Sequence, residues 1–203
     1  MTKKRMLGFL LAACMLIAAF AVLPIHGEAA VYDSVIRLHV LANSDSDEDQ
    51  AQKLLVRDAV LATTGRLLKD VKTRDEAEKI LSLNLETIRQ AAEAALRKNG
   101  NGNAVAVSLG EEQYPTRAYE TLAFPAGEYL SLRVMIGEAA GQNWWCVLFP
   151  PLCLSAATTK GEAEEVFLAA GLTEEQYRII TDSNNAKYKL RFKILEVAQE
   201  LFD

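Results

Sequence analysis

Histidine is nearly absent from this sequence of 203 residues: there are two, and His26 lies in or beside an apolar N-terminal run, which leaves His39 alone in the remainder of the chain. A histidine-based hydrolytic site would need His39 with a serine, or with Cys146 or Cys153, plus an orienting acid. The familiar spacings are missing as well: the chain has no G-x-S-x-G, H-E-x-x-H, G-x-x-x-x-G-K-[ST] or EF-hand loop. Zinc would find only Cys146, Cys153 and His39 as soft ligands, with six residues between the cysteines where zinc sites usually have two to four. Positive charge is short too. Lys and Arg number 22 against 27 Asp and Glu, and three of the positive charges fall in Lys3-Lys4-Arg5, so the rest of the chain is acidic. That argues against a nucleic-acid surface and favours protein or envelope partners. No cofactor or metal is expected, and the scarcity of catalytic groups argues against an enzyme.

What the chain does have begins at its start. Lys3-Lys4-Arg5 precedes an apolar run from Met6 to Leu23, and Pro24 and small residues around Gly27, Ala29 and Ala30 come next. This is the pattern of a signal peptide, and the run is also just long enough to be a membrane anchor. Either way, residues 1–30 stand apart from the fold, and 31–203 is expected outside the membrane as one domain, because the dense positive charge precedes the run. Leu11-Ala12-Ala13-Cys14 resembles a lipoprotein box only superficially, since the apolar run continues past Cys14.

Val35–Leu41 alternates as a half-buried strand, and Ser46 followed by Asp49 predicts a capped helix over about 47–69 with Leu54, Leu55, Ala59 and Leu61 on its apolar face. Gly65 weakens that helix locally and is a candidate point at which it splits. A second helix is expected from Thr73 to the Asn99–Asn103 stop, with Ile80, Leu81, Leu85, Ile88, Ala92, Ala95 and Leu96 facing inward. Strands are expected at 104–109, near 114–119, at 129–136 and at 144–149, the last two read as a hairpin; a short helix over 159–170 and a strand at 188–194 complete the pattern. The fold class is α+β: one largely antiparallel or mixed sheet covered by a helical pair.

The segment Asn143-Trp144-Trp145-Cys146-Val147-Leu148-Phe149-Pro150-Pro151-Leu152-Cys153 holds both tryptophans and two of the three cysteines. With Cys14 in the export segment, Cys146 and Cys153 form an even pair in an oxidising compartment, which favours a disulfide over two buried thiols. Strand alternation puts Trp144, Cys146 and Leu148 on one face, and Trp145, Val147 and Phe149 on the other. The first face is expected to be core. The second is a candidate partner surface if nothing covers it, or a second buried face if the C-terminal segment does. The turn Asn43-Ser44-Asp45, beside His39, is expected to tie strand to helix through side-chain hydrogen bonds, with partner contact as its other possible role. The oxygen-rich run 44–49 could hold calcium loosely, but helix capping recruits the same residues.

Two long motifs also carry a resemblance. Ile36-Arg37-Leu38-His39-Val40-Leu41-Ala42-Asn43-Ser44-Asp45-Ser46, continuing through Asp49-Gln50, Lys53-Leu54 and Val56-Arg57-Asp58, resembles the stage II sporulation protein R family. So do Leu122-Ala123-Phe124-Pro125-Ala126-Gly127-Glu128-Tyr129, Leu132-Arg133-Val134, Ile136-Gly137 and the segment from Asn143 to Cys153. Glu120 departs from the family, which more often carries glycine there. The resemblance implies a signalling protein exported from the forespore into the space between forespore and mother-cell membranes. Its implied partner is a membrane-embedded protease of aspartic type, which cleaves the precursor of sporulation sigma factor E. It assigns no catalytic residue. A secreted cell-wall hydrolase or envelope-binding module is the alternative.

Overall fold

The computed structural model describes residues 31–119, 122–153 and 160–181. The candidate export segment or anchor, with Cys14 and His26, lies outside these residues, as does the strand expected at 188–194. Among the described residues no helix is long and apolar enough to cross a membrane.

Strand β1 (Ile36–Leu41) leads into helices α1 (Asp47–Leu67), α2 (Arg74–Leu83) and α3 (Leu85–Lys98). Then come β2 (Val105–Tyr114), the two-residue strands β3 (Arg117–Ala118) and β4 (Ala123–Phe124), the long β5 (Gly127–Ile136), β6 (Asn143–Phe149), α4 (Lys160–Ala169) and α5 (Glu174–Thr181). The fold is α+β, and its main sheet runs β2-β5-β1-β6. β1 is parallel to β5 and antiparallel to β6, while β2 is antiparallel to β5. The sheet is therefore mixed.

The hairpin expected of β5 and β6 does not form, because β1 lies between them. Their connection must step across two strand spacings, about 10 Å, which residues 137–142 can span without a tight turn. That connection is bound to the end of β1: Ala140 N donates to Asn43 O at 3.2 Å, Gly141 N to Ala42 O at 3.0 Å and Glu138 N to Asn43 Oδ1 at 3.0 Å. Two glycines allow so close an approach. Gly137 has φ +55°, and a Cβ there would meet Asn43 Oδ1 at 2.1 Å; at Gly141 it would meet Ser44 O at 2.2 Å.

The helices begin where capping chemistry predicts. Ser46 Oγ accepts from Asp49 N at 3.2 Å and Thr73 Oγ1 from Glu76 N at 3.3 Å. The apolar face of α1 is shifted from expectation: Leu54 and Leu55 are 40% and 37% exposed, while Gln52, Lys53, Val56, Val60, Leu61, Thr63 and Thr64 are buried. Lys53 can turn inward because its ammonium reaches Gln142 O at 3.0 Å and Gln50 Oε1 at 2.6 Å. Gly65 does not split α1, whereas the single helix expected after Thr73 breaks at Asn84, whose side chain donates back to Ile80 O at 2.8 Å. Leu81, Ile88, Ala92 and Leu96 are buried as expected. α5 is an additional helix, opened by a reciprocal cap in which Gln176 N donates to Thr173 Oγ1 and Thr173 N to Gln176 Oε1.

Both faces of the sheet carry apolar clusters. On one, Ile36, Leu38, Val40, Leu132, Val134, Ile136, Cys146 and Leu148 pack against Val56 and Val60 of α1, Leu81 of α2 and Ile88 and Leu96 of α3. On the other, Tyr114, Tyr129 and Val147 pack with Phe124 of β4, Phe167 of α4 and Tyr177 and Ile180 of α5. The second face is thus covered in part, and the helices of 160–181 contribute the cover.

Gly137→Ala should lower stability by at least about 1–2 kcal/mol, since the left-handed backbone disfavours any Cβ and Asn43 leaves no room for it. Gly110→Ala in β2, where a Cβ would meet nothing within 4 Å, serves as the control and should be neutral or slightly stabilising. Urea melts of the two variants test the pair.

Candidate functional site

The turn after β1 is a hydrogen-bonded knot. Ser44 Oγ donates to Asp49 Oδ2 at 2.5 Å and Asn43 Nδ2 donates to the same oxygen at 2.9 Å. Gln50 Nε2 donates to Ser44 O at 2.9 Å, and Gln142 N donates to Asp45 Oδ1 at 2.7 Å. Asn43, Ser44 and Asp45 thereby join the end of β1 to the start of α1 and to the β5–β6 connection. The hydrogen bonds from Ser44 and Asn43 hold the Asp49 carboxyl below its ordinary value of 3.8. Burial moves the Lys53 amine the other way, down from its usual value, partly offset by the charge of Asp45.

The second face of the sheet holds a polar and aromatic network that the sequence only partly signals. His39 is 6% exposed, and its ring nitrogens lie 2.8 Å from Glu112 Oε1 and 2.9 Å from Asn143 Oδ1. Burial opposes the charge of Glu112, but hydrogen bonds from His39 and Ser131 and the nearby Arg133 guanidinium outweigh it and hold that carboxyl below its ordinary value. Tyr114 bonds Ser131 at 2.7 Å, and burial pushes its phenol up. Beside them lies Arg37, 0% exposed. Its guanidinium carbon sits 4.5, 5.0 and 5.1 Å from the ring centres of Tyr114, Phe124 and Tyr129. Nε donates to Cys146 O at 3.1 Å and Nη2 to Tyr119 Oη at 3.0 Å. The alternation of β1 reads Arg37 as an ordinary wet-face residue, and nothing in the sequence motifs singles out Glu112, Arg117 or Tyr119. The available signal was the density of tyrosine and phenylalanine at 114–129, which can bury a guanidinium.

Cys146 and Cys153 are joined as a disulfide, with their Cα atoms 5.6 Å apart. A His39–cysteine site does not assemble, because Cys146 belongs to the helix-side core and His39 to the opposite face. Among the described residues no cluster of His, Cys, Asp and Glu could hold a metal ion. Trp144 and Trp145 point to opposite faces, and both are half-buried. Trp144 lies under the Arg57 guanidinium at 5.0 Å. Trp145 lies between the Arg117 guanidinium, 3.5 Å from its ring centre, and the His39 ring at 5.2 Å. Val147 shares the face of Trp145 but is 2% exposed. Phe149, also 2% exposed, is on the helix side. The pairing of β6 with β1 steps from Arg37–Val147 to Ile36–Phe149, leaving Leu148 as an extra residue. That bulge turns Phe149 over. Of Trp145, Val147 and Phe149, only Trp145 has side chain left at the surface.

Because Asp49 is held below its unfolded-state value, its stabilising contribution is present above about pH 4 and is lost as pH falls through the lower, folded-state value. Asp49→Asn should therefore flatten the acid limb of a stability-against-pH curve below about pH 4, as followed by urea melts at a series of pH values. The cysteines should resist alkylation until reduced, and reduction should raise the intact mass by two hydrogens.

Residues 32–159 match the family model described as Stage II sporulation protein R. Stage II sporulation protein R of Bacillus subtilis (strain 168) is 40% identical over 121 residues, covering 60% of this chain and 54% of that relative. The chain thus spans about half the length of the curated relative it matches. No solved structure matches it. The matched region runs from just before β1 past the disulfide and takes in both the knotted turn and the Arg37–His39 face: the chain belongs to the stage II sporulation protein R family.

Proposed function

We propose that this protein is an intercellular signal of sporulation. It is exported from the forespore into the space between the two membranes, with residues 1–30 removed or kept as an anchor. There it activates a membrane-embedded aspartic-type protease of the mother cell, which processes the precursor of sporulation sigma factor E. The family match over the greater part of the described domain carries this reading. Two features support a ligand over a hydrolase. The described cysteines are consumed in a disulfide, which suits an exported protein, and both nitrogens of His39 are held within the sheet by Glu112 and Asn143.

Reconstitution of precursor cleavage with and without the exported domain tests the proposal, and equal processing in both cases would reject it. Release of wall fragments by the purified domain, lost in His39→Ala, would replace it with the hydrolase reading. Trp145→Ala should leave the domain folded and weaken activation, because a half-buried aromatic beside an arginine has the composition of an interface anchor. Full activation by folded Trp145→Ala would remove Trp145 from the contact.

A further inference from the structure

Arg37 is a fully buried guanidinium with no carboxylate in ion-pair distance among the described residues. Three aromatic rings and two hydrogen bonds compensate part of its charge, but Nη1 is buried and makes no hydrogen bond to any described residue. Rings attract the charge through their faces; they do not accept an in-plane N–H as an oxygen does. An unsatisfied charged donor of this kind is costly to keep in a core.

One side chain connects it to the surface. Tyr119 is 36% exposed, yet its hydroxyl accepts from Arg37 Nη2 at 3.0 Å and donates to Trp145 O at 3.3 Å. The phenol thus runs from solvent to the terminal nitrogens of the guanidinium and occupies one of the two. Tyr119 follows a strand of only two residues, β3; its backbone N donates to Leu122 O at 2.6 Å and its ring meets Phe124 edge-on, so its side chain is held by few partners. Beside it stand Trp145 and Arg117, stacked on each other. Tyr119, Trp145 and Arg117 give this rim an aromatic and basic character on a chain whose net charge is −5, and the Glu112 carboxylate on the same face is already engaged by His39 and Arg133.

We propose that Arg37 is a carboxylate-binding site latched by Tyr119, and that its occupant is a carboxylate of a partner polypeptide, from an acidic side chain or a chain terminus. When the phenol withdraws, Nη1 and Nη2 present the planar two-donor edge that a carboxylate engages through two parallel hydrogen bonds. The bound anion supplies the countercharge and satisfies the idle donor, while Trp145 and Arg117 flank the entering chain. The site is the same whichever protein is the receptor.

The test is titration of the exported chain, at constant ionic strength, with N-acetylglycine as the terminal carboxylate and N-acetylglutamate α-amide as the side-chain carboxylate. N-acetylglycinamide and chloride are the controls, and the readout is the 15N–1H signal of Arg37 Nε. A saturable shift with either carboxylate and neither control is expected, and the stronger of the two identifies the source. Tyr119→Phe removes the hydroxyl that competes for Nη2 and should tighten binding about fivefold, the worth of one ordinary hydrogen bond. Arg37→Lys should abolish binding if it folds; if it does not, Tyr119→Phe decides. Absence of a saturable shift, an equal response to chloride, or unchanged affinity in folded Tyr119→Phe would each overturn the site.

Discussion

β1 lies between β5 and β6, and the side chains that leave it in alternation build both layers of the domain. Ile36, Leu38 and Val40 enter the helix-side core, and Arg37 and His39 enter the opposite face; all five are buried. Because β1 is parallel to β5 and antiparallel to β6, no local turn fixes its register. A slip of one residue would send Arg37 and His39 into the apolar core and Leu38 and Val40 into the polar network. What prevents the slip is the knot at its end, where Asn43, Ser44 and Asp45 are bonded to both α1 and the β5–β6 connection. Register, helix entry and connection are one constraint.

The two faces then solve different problems. On the helix side, aliphatic residues pack against three helices, and the disulfide closes the end of β6. On the other side a guanidinium, an imidazole and a carboxylate are held in or near the core, which is favourable only when nearly every polar atom is matched. His39 meets this condition through Glu112 and Asn143, and Tyr114 through Ser131. Arg37 Nη1 and Glu112 Oε2 meet it incompletely, being buried without a hydrogen-bond partner among the described residues, and Arg37 is covered by the two-residue strands β3 and β4. The two faces thus differ in kind: the helix side is packed with aliphatic side chains, and the other keeps a buried donor of Arg37 without a described partner, beside a phenol that reaches the surface.

How much of this is legible in the sequence depends on the range of the interaction. Capping by Ser46 and Thr73, the stop after Lys98 and the opposite faces of Trp144 and Trp145 are local, and they read directly; the alternation of β1 reads as a half-buried strand, whereas Arg37 and His39 are buried along with its apolar residues. The break at Asn84 is hidden because Leu81, Leu85 and Ile88 keep helical spacing across it. The face of α1 is misread because Lys53 looks polar, and only its distant acceptor at Gln142 makes it an inward residue. The β5–β6 hairpin fails for a similar reason: sequence neighbours need not be sheet neighbours, and the intervening strand comes from the opposite end of the domain. The bulge at Leu148 leaves no trace in composition, so simple alternation puts Phe149 on the wrong face. The knotted turn is legible as a structural unit, but the bonds to 138–142 that complete it are long-range.

Trp145 shows why exposure alone is a poor guide to a contact surface here. Its ring is stacked by the Arg117 guanidinium and lies beside the His39 ring, so much of it is already engaged within the protein. A tryptophan held in this way loses little further freedom on binding, which lowers the entropic cost of using it as an anchor. Its backbone carbonyl accepts from Tyr119, and that same phenol holds Arg37. Disturbing Trp145 therefore disturbs the cover of the buried cation, and a partner that engages the edge of the ring acts on the same hydrogen bonds that keep Arg37 enclosed. Surface and buried charge are thus connected through one hydroxyl, that of Tyr119.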